Sequence, residues 1–224
     1  GNTALIWACK YKQPAVALAL LEHPNINVDL KDKDGDTALD YAAKNGMTEV
    51  FKKLIVKDAD VNKQNKNGNT ALISACYWKK TDIALALLES KNIEVDLANN
   101  NGETALHPAS RQGMLAVVEK LIVKDADVNK QNRNGFVALM HACENEHTHV
   151  ALALLNVDGI EVDLVNVVGE TALHYASKNG MTEVVEKLIK KGADVNIPNG
   201  DGRTPFIIAC MEGNTDVALA LLED

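Results

Sequence analysis

The densest gathering of potential ligands and nucleophiles in the chain is His141, Cys143, His147 and His149. Imidazole nitrogen and thiolate sulfur are the donors of tetrahedral zinc sites, so these four residues are the first candidates for metal chemistry. Two observations weigh against it. Their spacing matches no familiar zinc frame, and Cys143 is one of four cysteines (Cys9, Cys76, Cys143, Cys210) set 67 residues apart, the other three without histidines around them. A position that recurs in this way reads as a packing site. Asp32-Lys33-Asp34-Gly35 resembles part of a calcium loop, but Leu30 stands where the first ligand belongs and Tyr41 where the closing Glu belongs. Gly200-Asp201-Gly202 lacks the strand and the remaining glycine of a dinucleotide site, and no G-x-S-x-G, H-E-x-x-H or P-loop occurs. The Asp and Glu residues recur at fixed offsets, which marks a solvated surface and not a convergent acid–base pair. The expectation is a protein that is not an enzyme and carries no cofactor.

The elements that hold these residues follow from one stretch, Gly68-Asn69-Thr70-Ala71-Leu72. Versions of it begin at Gly1, Gly35, Gly68, Gly102, Gly135, Gly169 and Gly202, at spacings of 34, 33, 34, 33, 34 and 33 residues. A single globular core has no reason to keep such a period, so the chain is a repeat array. Its units are 1–34, 35–67, 68–101, 102–134, 135–168, 169–201 and an incomplete 202–224. The 67-residue cysteine period adds a second level of order. Units from Gly1, Gly68, Gly135 and Gly202 carry Ala-Cys, whereas those from Gly35, Gly102 and Gly169 carry Asn/Gln-Gly-Met. Duplication of a two-repeat block accounts for the alternation.

Within each unit the residue types predict two helices and a turn-tipped finger. The Thr of G-x-T caps the first helix, whose apolar residues recur at helical spacing, as in Leu39, Ala42 and Ala43. Gly46, Gly113, Gly180 and Gly213 supply the positive φ that ends it. The second helix starts near Pro14 or at Thr48, Thr81, Thr148, Thr182 and Thr215, and Asn/Asp/Gly-rich tips such as Asn67-Gly68 close the unit. The unit from Gly169 runs Gly-Glu-Thr-Ala-Leu-His-Tyr-Ala-Ser-Lys-Asn-Gly and later Gly-Ala-Asp-Val-Asn196. It resembles the ankyrin repeat. The resemblance covers the whole chain and implies an all-α solenoid, each repeat a helix-turn-helix with a β-hairpin or loop, stacked side by side. It also implies that His107 and His174 hydrogen-bond around the fingers, and that the first helices and fingers line a concave surface for a protein or peptide partner.

Departures from that pattern carry their own expectations. Lys12, Lys79 and Glu146 occupy the helix-ending glycine position, so their turns differ or are strained, and Asp58 and Asp125 replace the glycine seen at Gly192. Val137 replaces the capping Thr. The first repeat lacks a preceding finger strand and Asp224 ends on a second helix with no polar capping repeat, so the chain reads as an excerpt of a longer protein, open to end-to-end self-association.

Charge and composition narrow the partner. The net charge of -8 argues against nucleic acid, and all of it lies beyond residue 112, because residues 1–112 hold 14 basic and 14 acidic side chains. No apolar run reaches the length of a membrane span and no leader precedes Gly1. The cysteines, about 20 Å apart at helix-stacking distances, cannot pair within the chain. With no Asn-x-Ser/Thr sequon, that pattern reads as buried, reduced thiols in an intracellular, cytoplasmic protein.

Of nine aromatic residues, Trp7, Tyr11, Tyr41, Tyr77, Trp78, Phe136 and Tyr175 fall at the offsets that the resemblance places on the concave side. Five of these seven lie in repeats one to three, among Lys10, Lys12, Lys44, Lys79 and Lys80. A basic, aromatic groove there is the first candidate binding site, for an acidic or mixed segment. Val165, Val167 and Val168, where other tips are polar, form with Phe136 a second candidate patch. The reading is a protein-interaction scaffold; the alternative is the targeting region of a larger enzyme or effector.

Overall fold

The structure is a computed structural model that describes residues 3–223; Gly1 and Asn2, which open the first repeat, and Asp224 lie outside the described residues. Among the described residues it is all helical, and no helix is long and apolar enough to cross a membrane. Contacts divide the chain into two compact units, Gly1–Ala105 and Leu106–Asp224.

The first unit holds α1 (Ala4–Lys10), α2 (Pro14–Leu21), α3 (Ala38–Asn45), α4 (Thr48–Val56), α5 (Ala71–Tyr77) and α6 (Thr81–Leu88). Each odd helix packs on the even helix that follows it, and the pairs stack, α1 on α3 on α5 and α2 on α4 on α6. The core mixes small residues (Ala42, Ala43, Ala75, Cys76) with large ones (Ile6, Leu39, Leu72, Ile73) on the first helices and takes Leu21, Leu54 and Leu87 from the second. Small side chains let the paired helices approach closely, and leucines fill the remaining space.

The second unit repeats the plan with α7 (Leu106–Arg111), α8 (Leu115–Val123), α9 (Ala138–Glu144), α10 (Thr148–Leu155), α11 (Ala172–Lys178), α12 (Thr182–Lys190), α13 (Pro205–Glu212) and α14 (Thr215–Leu222). Here α7, α9, α11 and α13 form one layer and α8, α10, α12 and α14 the other. Cys9, Cys76 and Cys143 are buried free thiols, and burial pushes each up to about 12. Cys210 departs from the expectation and is exposed.

The caps follow the sequence. Thr3, Thr37, Thr70, Thr171 and Thr204 each accept a hydrogen bond from the first turn of their helix, while Val137 caps nothing and is buried. All five predicted departures from glycine adopt the left-handed region: Lys12 at φ 55°, Asp58 at 57°, Lys79 at 51°, Asp125 at 58° and Glu146 at 60°. A Cβ in that region costs about 1–2 kcal/mol, partly offset by the unfolded-state entropy that glycine would add. Glu146→Gly is therefore expected to raise stability by about 0.5–1 kcal/mol, read as a shift in the urea midpoint.

Asp40 stands where the other two units of its type have His107 and His174. It is buried, accepting hydrogen bonds at Oδ2 from the Thr37 amide at 2.7 Å and the Thr37 hydroxyl at 2.8 Å. Burial pushes its carboxyl up to about 7, against the opposing pull of these bonds. Because the folded pKa exceeds the unfolded one, the folded state binds the extra proton, and stability falls as pH rises from about 4 to about 7. Between pH 5 and 8 the wild-type chain is expected to lose about 2 kcal/mol more than Asp40→Asn in matched urea melts.

The fingers contain no strand among the described residues; asparagine or aspartate side chains shape them instead. Oδ1 of Asp32, Asn65, Asn99, Asn132, Asn166 and Asn199 accepts from the amides two and four residues on. Within the units, neighbouring fingers are linked by amide-to-carbonyl bonds from Lys66 to Asp34, Asn100 to Asn67, Val167 to Asn134 and Gly200 to Val168. A Cβ on Gly68 would lie 2.8 Å from the Asn100 nitrogen, so the finger contact itself requires glycine there, as does the φ of 75°.

Candidate functional site

Trp7 on α1 and Tyr11 just past its end are one turn apart, and their rings stack at 5.0 Å with an interplanar angle of 5°. Both are exposed. Lys10 Nζ lies 5.9 Å from the Trp7 ring and 5.2 Å from the Tyr41 ring, and 4.0 Å from Asp32 Oδ2. The Lys10 cation thus sits between two aromatic rings beside a carboxylate.

Tyr41 was expected on the surface and is buried instead, as is Tyr175. The Tyr41 hydroxyl donates to Asp32 Oδ2 at 2.9 Å, and Tyr175 accepts from Asn166 Nδ2 at 2.8 Å. Each ring is a post between a first helix and the base of its finger. Burial alone would push Asp32 up, but the Tyr41 hydroxyl, the amides of Asp34 and Asp36 and the charge of Lys10 outweigh it and hold the carboxyl below its usual range. Asp32 is an anion at neutral pH, spent on its finger.

The structure brings Tyr77 and Trp78, at the end of α5, together with two fingers around a pocket of about 520 Å³. Trp78 is 55% exposed, and Lys44 Nζ sits 5.0 Å from its ring centroid. Ser74 completes the helical side, and Asn67, Asn69 and Asn99 to Asn101 form the finger side. A flat indole, a guarding cation and several amides suit recognition by stacking and hydrogen bonding, and the volume lies within the usual range for ligand pockets. Lys79 and Lys80 do not join them. They line a separate recess at the turn between α5 and α6, with Asn45, Gly46 and Thr48, and the Lys80 stem lies against Gly46.

In the second unit, Phe136 is half-buried, stacked on His141 at 4.8 Å and tilted against Tyr175 at 5.6 Å. It packs an aromatic cluster more than it presents a surface. His141 Nε2 lies 2.9 Å from an Arg111 guanidinium nitrogen, which can only donate, so the imidazole accepts there. Burial, then Arg111 and His107, lowers its pKa to about 3, so its 3.5 Å approach to Glu144 joins a neutral ring to a carboxylate and is no ion pair. His147 is half-buried against the Arg111 carbonyl at 3.0 Å, and Cys143 is buried. Among the described residues, no three His, Cys, Asp or Glu side chains are gathered as a metal ion would need. His107 and His174 each reach the carbonyl of a finger residue, Phe136 and Arg203, at 3.2 Å.

Val165, Val167 and Val168 are 43%, 71% and 55% exposed at the finger tips. Their backbone holds the finger, through the Val167 amide and the Val168 carbonyl, while their side chains do not. Replacing Val167 and Val168 together by Asn is expected to change stability by less than about 0.5 kcal/mol in a urea melt.

The asparagines at the finger bases, such as Asn65 and Asn166, and the amides that tie helix ends together are not singled out from the sequence alone. Asn45 Nδ2 donates to the Cys9 carbonyl at 2.9 Å and Asn179 Nδ2 to that of Cys143 at 2.8 Å. Their signal was present, as an Asp or Asn three residues before each internal repeat glycine and an Asn before Gly46 and Gly180.

The model for ankyrin repeats in three copies matches residues 1–65, 39–132, 108–199 and 139–224. The mouse B-cell lymphoma 3 protein homolog is 29% identical over 86% of this chain and 44% of its own length. The ankyrin repeat and KH domain-containing protein mask-1 of Caenorhabditis elegans is 32% identical over 99% of the chain and 8% of its own length. The human transient receptor potential cation channel subfamily A member 1 is 27% identical over 92% and 19% respectively. The chain thus spans less than half the length of these curated relatives. The crystal structure of the ankyrin repeat domain of Bcl-3, described as a unique member of the IkappaB protein family, superposes with a TM-score of 0.78 at 26% identity, over 99% of both chains.

Proposed function

Because the chain belongs to the ankyrin-repeat family, a fold of protein–protein interaction, we propose that it binds a protein partner through the helix-1 and finger side of repeats one to three. Repeat arrays present extended surfaces assembled from the same offsets of successive units, and affinity concentrates where aromatic residues stand exposed at such offsets. The observation that carries the reading is the Trp78 pocket, where an exposed indole, a nearby cation and open space coincide. Lys10 and Lys44 favour a partner segment that is acidic or mixed in charge. The valine tips of the second unit are a subsidiary surface.

A second reading rests on the relatives, whose matched segments are minor parts of longer proteins, one of them a cation channel. In that reading the same surface directs a larger protein to its target. Both readings predict that immobilised wild-type chain retains proteins from a cell lysate that the Trp78→Ala chain loses and the Val167→Asn/Val168→Asn chain keeps. Identical retention by all three would contradict the assignment of the surface.

A further inference from the structure

The pocket beside Trp78 is walled by asparagines and by no charged side chain, although charge is common at the same offsets elsewhere. The positions flanking the finger glycine are Asp34 and Asp36 in the first finger, Asn67 and Asn69 in the second, and Asp201 and Arg203 in the last. The third finger, the pocket's other wall, has Asn101 and Glu103 at these positions and the fourth has Asn134 and Phe136, so the offsets alone do not set this pocket apart; its lining side chains are nonetheless uncharged.

Three of its amides are unspent. The Asn67 and Asn101 carboxamides make no hydrogen bond among the described residues, and Asn69 accepts at Oδ1 from Asn99 at 2.9 Å while its Nδ2 has no acceptor. Asn99 and Asn100 are committed, the first to its own finger and to Asn69, the second to the Lys66 carbonyl at 2.8 Å. A carboxamide offers two donors and an acceptor, the complement of another amide. A charged group moved from water into this pocket would lose hydration against walls of amides and an indole, and the nearest cation, Lys44, stands outside the lining at 5.0 Å from the Trp78 ring centroid. Lys44 already occupies the cation position at the Trp78 ring, which leaves a partner's lysine no favourable place there.

We infer that this pocket takes a short, uncharged, extended stretch of the partner polypeptide, its amides paired with Asn67, Asn69 and Asn101 and its bulk against Trp78. Acidic residues of the partner flank that stretch, outside the pocket and near Lys44. The inference rests on the binding surface proposed above and adds its specificity.

The test is selection of a random dodecapeptide phage library on the full chain, followed by fluorescence anisotropy of the enriched peptides. The expected peptides bind in a Trp78-dependent manner and carry an uncharged core flanked by Asp or Glu. Asn101 is exposed, so its variants leave the fold intact; Asn101→Lys and Asn101→Asp are each expected to weaken these peptides by about tenfold. Trp78-dependent peptides that rely on a charged core residue, or that bind Asn101→Lys more tightly, would overturn the neutral-pocket inference and leave the surface standing. No enrichment, or binding indifferent to Trp78→Ala, would overturn the surface and the inference together.

Discussion

Trp78→Ala is expected to weaken partner binding by about 30-fold or more, the equivalent of about 2 kcal/mol, while folding stability falls by less than about 1 kcal/mol. The contrast arises from where the residue sits. Trp78 is the residue just past α5, 55% exposed, and its described intramolecular interaction is with the Lys44 ammonium 5.0 Å from the ring centroid. Truncation therefore removes a half-exposed ring from the fold but the whole floor of the pocket from a partner. Lys44→Glu should act differently, slowing association at low salt with an effect that fades as ionic strength rises. Lys79 and Lys80, which lie in the turn recess, are expected to contribute less to that steering than Lys44. An early-melting Trp78→Ala chain with normal affinity would reassign the residue to the core.

The largest effect on folding is expected at a residue that no binding argument touches. Asn166 is 4% exposed; its Oδ1 accepts from the amides of Val168 at 3.0 Å and Glu170 at 2.9 Å, and its Nδ2 donates to Tyr175 at 2.8 Å. Asn166→Ala leaves two amides and a buried hydroxyl without this partner, and each such loss costs about 1–3 kcal/mol. Relief by water reduces the sum, and a net loss of about 2–4 kcal/mol is expected. Amide exchange at Val168 and Glu170 should accelerate together. Asn166→Asp keeps the acceptor, and the Asp32–Tyr41 pair shows that a tyrosine can turn its hydroxyl to donate to a carboxylate at this position. That variant should lose less than about 1 kcal/mol. If Asn166→Ala melted with the wild type, the finger would be held by backbone bonds alone.

Much of this architecture is legible in the sequence because a repeat states each rule several times. The capping threonines, the starts of the second helices and the left-handed turns at Lys12, Lys79 and Glu146 all follow from comparing units at matched offsets. What comparison of offsets does not supply is the direction of a side chain. Tyr41 and Trp7 share an offset, yet Tyr41 is buried with its hydroxyl on Asp32 whereas Trp7 stands exposed. Asp40 at a histidine position, and the asparagines that converge beside Trp78, likewise acquire meaning only from contacts between repeats. Those contacts join residues about 30 positions apart, as Asn99 and Asn69 are, and no local pattern announces them.

The chain contains two tryptophans, Trp7 and Trp78, so the indole N–H region of a nitrogen-15 correlation spectrum reports on the Trp7–Tyr11 stack and the Trp78 pocket with two signals. Titration with a captured partner is predicted to shift or broaden the Trp78 indole signal, together with the side-chain amides of Asn67 and Asn101, while the amides of residues 165–168 move less. Unmoved indole signals at saturation, with the shifts gathered at Val165 to Val168, would contradict the account and place the partner on the second unit.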